Sequence, residues 1–344
     1  MKLAILFGGS SLESDVSVVS ATSIIKNLDK NKYKIKPIYL DKSNNFYLWK
    51  ENVNKINTVK LGYVPDKLKL IKEPFSYLKK FDLVFIMIHG KNGEDGTLSA
   101  IFDFLNISYI GNEVLPSVIS MDKILTKQVL EYHKIKTSPY IYFTKYNNEY
   151  LYLNKSVNFN EIKDIIKKKI SLPIFIKPSN SGSSIGVSKV VDYEGIDEAL
   201  IKAFKIDKRV LVEKEVSGKE VECCILEHDS NILASVLGEV LKNDYYSFEE
   251  KYNNKWENTI IPCNIDEDLS DKIKKIAIKA FKVLNLHGYS RVDFFITDDG
   301  EIILNEINTI PGFTDISMYP KLFEASNISY STLLDILIDE ARKK

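Results

Sequence analysis

Short apolar runs of four to eight residues, separated by amphipathic stretches, recur along the 344-residue chain. That rhythm is what strands alternating with helices produce. Residues 3–7 read as a buried parallel strand, after which Val18, Ala21, Ile25 and Leu28 return at helical spacing. Residues 35–40 and 83–89 are further strands and 97–105 a helix, so the stretch to Gly111 is expected to form a doubly wound unit. At about 150 residues per domain the length allows two or three domains, with a sizeable core.

A second unit starts near Met121-Asp122-Lys123, with a helix running to His133. The Asn- and Tyr-rich residues 146–160 are expected to be a solvated loop. Strands at 172–177 and 185–191, joined by the small-residue segment 179–186, predict a hairpin, with a helix over 194–204. A third unit runs from about Glu213: a strand to 227, another over 232–240, then a polar segment, 243–258. Ile273, Ile276, Ala277, Ala280, Phe281 and Leu284 then form a helical stripe. Strands at 289–296 and 302–307 follow, turning at Asp298-Asp299-Gly300. Leu333, Leu334, Leu337, Ile338 and Ala341 mark one face of a last helix.

Charge bounds the partners. Lys+Arg and Asp+Glu are 47 each, giving zero net charge, which argues against nucleic acid or an anionic membrane as partner. Only Arg209, Arg291 and Arg342 are arginines, so a site needing a planar, bidentate cation has few candidates. Cys223, Cys224 and Cys263 lack metal-ligand spacing, and an odd count with two adjacent residues fits a reducing, cytoplasmic setting. The N-terminal apolar run is too brief for a signal segment or a spanning helix.

The strongest chemical signal is the last strand pair. Side chains alternate across a strand, so Arg291 and Asp293 share one face, and Glu306 and Asn308 share one face of the next strand. Two carboxylates, an amide oxygen and a guanidinium therefore meet on one hairpin. Hard divalent cations such as Mg2+ take such oxygens and complete their shell with water and substrate phosphates. A solvated face with surface ion pairs explains the spacing equally well. The run Asn308-Thr309-Ile310-Pro311-Gly312 favours the ligand site, because a Pro-Gly turn after the acids is a rigid way to aim N–H groups.

A second signal is Lys177-Pro178-Ser179-Asn180-Ser181-Gly182-Ser183-Ser184-Ile185-Gly186. Its glycines admit close approach of a phosphate, and its N–H groups and hydroxyls supply donors. It lacks the Gly-Lys-Ser/Thr ending of a Walker A loop. Lys177 closes a buried apolar run, where an anionic ligand would offset the cost of an ammonium. In isolation such a segment is more often merely a loop. Third, Phe7-Gly8-Gly9-Ser10-Ser11-Leu12-Glu13 is a strand, tight turn and helix start without the GxGxxG spacing of dinucleotide sites. Glu13 and Asp15 are either ordinary helix-dipole partners, or Glu13 binds a substrate ammonium. His89-Gly90 holds the matching strand end, the ligand side of such sheets. Fourth, Glu213-Lys214 to Glu220 offers backbone groups for a base edge and a carboxylate for ribose, a weak signal alone.

Taken in order, MDK, KPSNSGSSIGV, VEKEVSGKE, RVD and NEINTIPGFT resemble the ATP-grasp superfamily, and FGGSSLESDVS with HGKNGEDGT narrows the resemblance to the D-alanine-D-alanine ligase family. The resemblance spans residues 7 to about 320. It implies an α/β, three-domain ATP-grasp architecture: 1–111 a doubly wound N-terminal domain for the first substrate, 112–212 a central subdomain with the phosphate loop, and 213–344 a C-terminal subdomain with lid, metal and oxyanion sites. The implied reaction joins two D-alanines through a D-alanyl phosphate, giving D-alanyl-D-alanine, ADP and phosphate for peptidoglycan precursors. ATP and two Mg2+ (or Mn2+) ions are the implied cosubstrate and metals. A cytoplasmic homodimer is the implied form, with neither membrane nor nucleic acid as partner.

Position by position, the resemblance implies that Glu13 anchors the first D-alanine's ammonium, with His89 nearby. Lys123 and Lys177 would contact ATP phosphates, Glu213, Lys214 and Val216 the adenine, and Glu220 the ribose. Ser183 would bond Glu13 and a lid tyrosine, Tyr252, while Lys251 reaches phosphate. Asp293, Glu306 and Asn308 match the magnesium ligands. Arg291 and the Gly312 amide match the groups that stabilise the tetrahedral intermediate. Ser317 would take the second substrate's carboxylate. Met318 stands where leucine is usual and D-serine-selective relatives carry arginine, which favours D-alanine. The run Asp315-Ile316-Ser317-Met318 departs from the usual Ser-His-Ser-Leu, and the lid reads YYSFEEKY rather than YDYEAKY. The alternatives are a D-alanine-D-serine ligase, another ATP-grasp carboxylate-amine ligase, or a non-catalytic nucleotide sensor. A sensor would have lost metal or oxyanion residues, and all are present.

Overall fold

The computed structural model describes residues 1–147, 149–241 and 259–343. Three sheets organise it, and the first is the doubly wound unit expected from the apolar runs. Its strands β1 (Lys2–Gly8), β2 (Lys34–Leu40), β3 (Phe46–Trp49), β4 (Leu68–Leu70), β5 (Leu83–Met87) and β6 (Tyr109–Ile110) lie in the order β4-β3-β2-β1-β5-β6. β1 runs parallel to β2 and β5, and β5 parallel to β6. Leu3 to Phe7 and all of β5 are buried, as strands covered on both faces must be. The chain leaves β1 through Gly8, where φ is +95° and a Cβ would stand 2.3 Å from Leu40 O. Only glycine makes that turn, and it delivers Glu13 to the start of the helix Ser14–Asn27.

The second sheet is antiparallel throughout: β7 (Tyr140–Tyr146), β8 (Glu149–Tyr152), β9 (Lys155–Val157), β10 (Ile174–Pro178), β11 (Ser188–Val190) and β12 (Arg209–Lys214), in the order β11-β10-β12-β7-β8-β9. Helices Phe159–Lys169 and Ile196–Phe204 cover it with Ile162, Ile166, Ile196 and Leu200. The expected hairpin around 179–186 is present, with Ile174 opposite Val190, although its second strand shrinks to three residues. The solvated loop expected at 146–160 is instead β8, β9 and a helix start. Asn147 and Asn154 take left-handed φ values of 54° and 62° at the turns, while Tyr150 packs on Phe159 and Phe204. The asparagines mark turns and the tyrosines mark a sheet face. β12 continues through 212/213, where the sequence reading divides two units, and the chain passes to the third sheet only after Lys214.

That third sheet contains β13 (Lys219–His228), β14 (Asn231–Val240), β15 (Thr259–Ile260), β16 (Tyr289–Ile296) and β17 (Ile302–Asn308), in the order β15-β14-β13-β16-β17. The stripe helix, Glu267–Val283, packs Ile273, Ala277, Ala280 and Phe281 on one face. Helices Met318–Ala325 and Tyr330–Ala341 cover the other, and their Tyr319, Leu322, Leu333 and Leu337 share one core with the first sheet. Phe313 sits in that core against Phe85 of β5 at 5.9 Å and Tyr319 at 5.1 Å. The aromatic contact holds the turn after β17 against β5, whose carboxyl end carries His89. Among the described residues no helix is long and apolar enough to cross a membrane.

Candidate active site

The hairpin β16-β17 pairs Arg291 with Asn308 and Asp293 with Glu306, so strand register alone gathers the four residues singled out in the sequence. Asp293 is 3% exposed. Arg291 grips it with two hydrogen bonds, Nε to Oδ1 and Nη2 to Oδ2, each 2.7 Å, and Asn308 Nδ2 donates to Oδ2 at 3.0 Å. The solvated-face reading fails on this burial and geometry. Glu222 of β13, opposite Asp293 across the sheet, completes the cluster at 3.0 Å from Arg291 Nε. Sequence reasoning missed Glu222. Its signal was the alternation Glu220, Glu222 on a strand whose neighbour was not yet known. Burial opposes the charge on Arg291, but Asp293 and Glu222 hold its pKa well above the ordinary value.

The first sheet grips the turn beyond these acids. His89, buried, donates from Nδ1 to Ile310 O at 2.9 Å. Burial holds its pKa below the usual value, so the ring is neutral and Nε2 is an acceptor without a hydrogen-bond partner among the described residues. Glu94, also missed in the sequence, accepts from Gly90 N–H at 2.6 Å and from the Ile310 N–H. Both backbone polar groups of Ile310 are thus held by one loop. Burial, with the Glu13 carboxylate next, pushes the Glu94 pKa up to about 8. Beyond Ile310, Gly312 lies so close to Ser317 that a Cβ would stand 2.7 Å from its Oγ, which also accepts from Thr314 N–H at 3.0 Å. Met318 turns its methyl into the core against Gly238. The two departures from the family pattern face elsewhere. Asp315 accepts from Ser23 Oγ at 2.6 Å and Lys26 Nζ at 3.1 Å, and Ile316 is exposed.

Glu13 is the residue before its helix, yet its side chain makes no capping bond. It accepts from Ser183 Oγ instead, which rejects the helix-dipole explanation as sufficient. Ser183 and Ser184 both adopt left-handed backbone, φ 49° and 57°, a strained conformation for serine of the kind that gathers at functional sites. The preceding Gly182 comes so near that a Cβ would be 3.1 Å from Glu13 Oε2. The small-residue loop therefore meets the first sheet at Glu13.

The loop is anchored by Asp122. Its Oδ1 caps the helix Lys123–Tyr132 by accepting from Ile124 and Leu125 N–H, and accepts from Ser179 Oγ at 2.6 Å. Its Oδ2 pairs with Arg209. Lys123, on the first turn, donates to Ser181 O. Burial lowers its pKa, against the pull of Glu306, Glu213 and Glu94, and the positive end of the helix adds to that cost. Such a cation is suited to an anion. On β10 and β12, Lys177 pairs with buried Glu213. A second lysine that the sequence reading missed, Lys127, reaches the same carboxylate at 3.1 Å. It lies one helical turn beyond Lys123. Burial opposes ionisation of Glu213, but Lys177 and Lys127 hold it well below the usual carboxylate range. Lys214 donates to Ser171 O and Leu172 O at 3.0 and 2.7 Å, and Val216 on the link to β13 and Glu220 at the start of that strand are half-buried. Lys251 and Tyr252, the expected lid residues, lie outside the described residues.

Asp293, Glu306 and the amide oxygen of Asn308 form an all-oxygen donor set, one member deeply buried, which fits Mg2+ or Mn2+. Elsewhere, His228, Asp229 and Glu340 also converge. There the Lys343 ammonium already bridges the two carboxylates at 2.7 and 2.5 Å.

Comparison with known proteins identifies the family. The profile described as "D-ala D-ala ligase N-terminus" matches residues 2–112, and "D-ala D-ala ligase C-terminus" matches residues 118–339. The D-alanine--D-alanine ligase of Halothermothrix orenii is 40% identical over 344 residues, covering 99% of this chain and 98% of that protein. Among solved structures, the VanG D-Ala:D-Ser ligase of Enterococcus faecalis superposes with a TM-score of 0.80 at 32% identity, covering 99% of each chain. The D-alanine--D-alanine ligase of Bacillus anthracis complexed with ATP gives 0.74 at 29% identity, covering 100% of this chain and 99% of that one.

Proposed function

The chain belongs to the D-alanine-D-alanine ligase family, and on that premise we propose how its residues divide the work of an ATP-dependent ligase. It is a D-alanine-D-alanine ligase of ATP-grasp fold, using ATP and D-alanine as substrates in cell-wall synthesis. A carboxylate does not accept an amine at neutral pH, so the first D-alanine is phosphorylated to an acyl phosphate. The second then attacks as a free amine, and phosphate leaves.

The observation that carries the assignment of residues is the double grip on the Ile310 backbone. Through it the loop beside Glu13 and the turn bearing Gly312 become one site. Glu13 binds the ammonium of the first D-alanine, with the His89 Nε2 lone pair beside it. Arg291 and the Gly312 N–H sit where negative charge develops on the tetrahedral intermediate. Lys123, Lys177 and the 179–186 loop take the phosphates, while Glu213, Lys214 and Val216 meet the base and Glu220 the ribose. Asp293, Glu306 and Asn308 hold two Mg2+ (or Mn2+) ions, which when bound neutralise phosphoryl charge. Ser183 links Glu13 to the lid tyrosine, Tyr252, Lys251 contacts phosphate, and the lid excludes water from the acyl phosphate. Ser317 binds the second carboxylate. D-alanine is the second substrate, because Asp315 and Ile316 face away from Ser317 and Met318 brings no cation. We place the first substrate with the first sheet, the nucleotide between the second and third, and read the enzyme as a cytoplasmic homodimer.

Phosphate release from ATP, with D-alanine, D-serine and D-lactate offered singly and in pairs and products weighed by mass spectrometry, tests this reading. D-alanine alone is expected to support turnover and yield D-alanyl-D-alanine. A mixed D-alanyl-D-serine product in preference would overturn the second-substrate assignment.

A further inference from the structure

Lys127 is a lysine almost without access to water, 2% exposed, in the middle of the helix Lys123–Tyr132. Its ammonium contacts Glu213 Oε2 at 3.1 Å and donates to Ser138 Oγ at 2.8 Å. Ser138, itself buried, donates in turn to Glu213 Oε2 at 3.1 Å. The ring of Tyr140, opposite Glu213 across the strands, lies 5.4 Å from Nζ. Glu213 Oε1 is occupied separately, by Lys177. Two ammonium groups therefore serve one buried carboxylate. In the proposed function Lys177 also reaches the phosphates, so its contact with Glu213 is the one exchanged when the nucleotide arrives. The two are not equivalent: Lys177 is the more accessible and closes β10 next to the small-residue loop, whereas Lys127 is tied down by Ser138.

We propose that Lys127 is a positioning residue for nucleotide recognition, the fixed counter-cation that keeps Glu213 charged and oriented while Oε1 exchanges Lys177 for an N–H donor on the base. The proposal rests on the reading of Glu213 and Lys177 as nucleotide contacts. When Lys177 turns to a phosphate, Glu213 retains Oε2 in the Lys127-Ser138 triangle, so its free oxygen stays aimed at the base edge. An ionised carboxylate accepts only. It favours a base with an amino group at that edge, as in adenine, and disfavours a carbonyl, as in guanine. Without Lys127, Glu213 would keep Lys177 from the phosphates and lose its orientation toward the base.

Steady-state kinetics of the full chain with ATP and with GTP test this, using Lys127→Met, Lys127→Arg, Glu213→Gln and the double variant Lys127→Met/Glu213→Gln. Lys127→Met is expected to raise the KM for ATP by about tenfold, the loss of one charge-assisted contact, and to narrow the ATP-over-GTP ratio of kcat/KM. The KM for D-alanine at saturating ATP should not follow, which separates positioning from a general loss of structure. Lys127→Arg should recover part of the ATP affinity. The double variant should be no worse than Glu213→Gln alone, since the two act through one carboxylate. If Lys127→Met does not fold, Ser138→Ala decides, with a smaller rise in the KM for ATP expected. Unchanged nucleotide parameters in whichever variant folds, with Glu213→Gln impaired, overturn the proposal alone. Unchanged nucleotide parameters in Glu213→Gln overturn the nucleotide reading of Glu213, and the proposal with it.

Discussion

Arg291 has two tasks, and they predict different losses. It neutralises Asp293 and Glu222, both buried, and in the proposed mechanism it offers donors where the reaction develops charge. Removing one partner of a buried ion pair typically costs about 3–5 kcal/mol, and losing an oxyanion donor about 3 kcal/mol of transition-state stabilisation. Arg291→Ala is therefore expected to lower the unfolding free energy and, in the fraction that folds, to cut kcat by roughly 10²–10³-fold. Denaturant unfolding and turnover of the same preparation measure the two separately. Near-normal turnover in a folded Arg291→Ala sample would remove Arg291 from the chemistry. At this scale strand alternation made Arg291, Asp293, Glu306 and Asn308 legible, because they sit within one local hairpin. Glu222 and Glu94 were not legible, since their importance comes from pairing with residues about 70 and over 200 positions away, respectively, which no local pattern encodes.

Among the elements, the helix Lys123–Tyr132 shows how a single cap organises a site. Asp122 satisfies two free N–H groups at the helix start, holds Ser179 of the small-residue loop and pairs with Arg209 at the head of β12. Helix, loop and strand are fixed relative to one another by one carboxylate. Asp122→Ala removes the cap, worth about 1 kcal/mol, and leaves the partly buried Arg209 without its partner. A loss of about 3 kcal/mol or more is expected in urea unfolding, together with a raised KM for ATP as the loop loses its anchor. Asp122→Asn, which keeps the cap but not the charge, should fall between the two proteins. An unchanged KM for ATP in folded Asp122→Ala would show that the loop does not need this anchor. The MDK motif pointed to Lys123, and the residue before it proves to hold the surroundings together. The 146–160 segment was misread for a related reason. Asparagine signals a turn as readily as a loop, and the tyrosines found partners, Phe159 and Phe204, that only the tertiary fold supplies.

Across the whole molecule, the first and third sheets are joined by a continuous apolar core and by the grip of His89 and Glu94 on Ile310. The junction has a pH signature. Glu94 is held to a pKa of about 8 by burial, then by the Glu13 carboxylate, with Glu306 adding to the effect and the Gly90 and Ile310 N–H groups opposing it. In the unfolded chain the same group titrates near its ordinary value of 4.5. Between about pH 4.5 and about 8 the folded protein keeps a proton that the unfolded chain gives up, so this group makes stability fall as pH rises through that window. Glu94→Gln preserves an acceptor for the two N–H groups and cannot ionise. The variant should match its parent near pH 4.5 and exceed it increasingly toward pH 8 when unfolding is followed without nucleotide or divalent metal. A stability difference that is flat across that range, or that favours the parent at pH 8, would mean that Glu94 is ionised in the folded protein. Two charged carboxylates, Glu13 and Glu94, would then stand at the junction, and the grip on the Gly312 turn would rest on charge and not on a neutral acid.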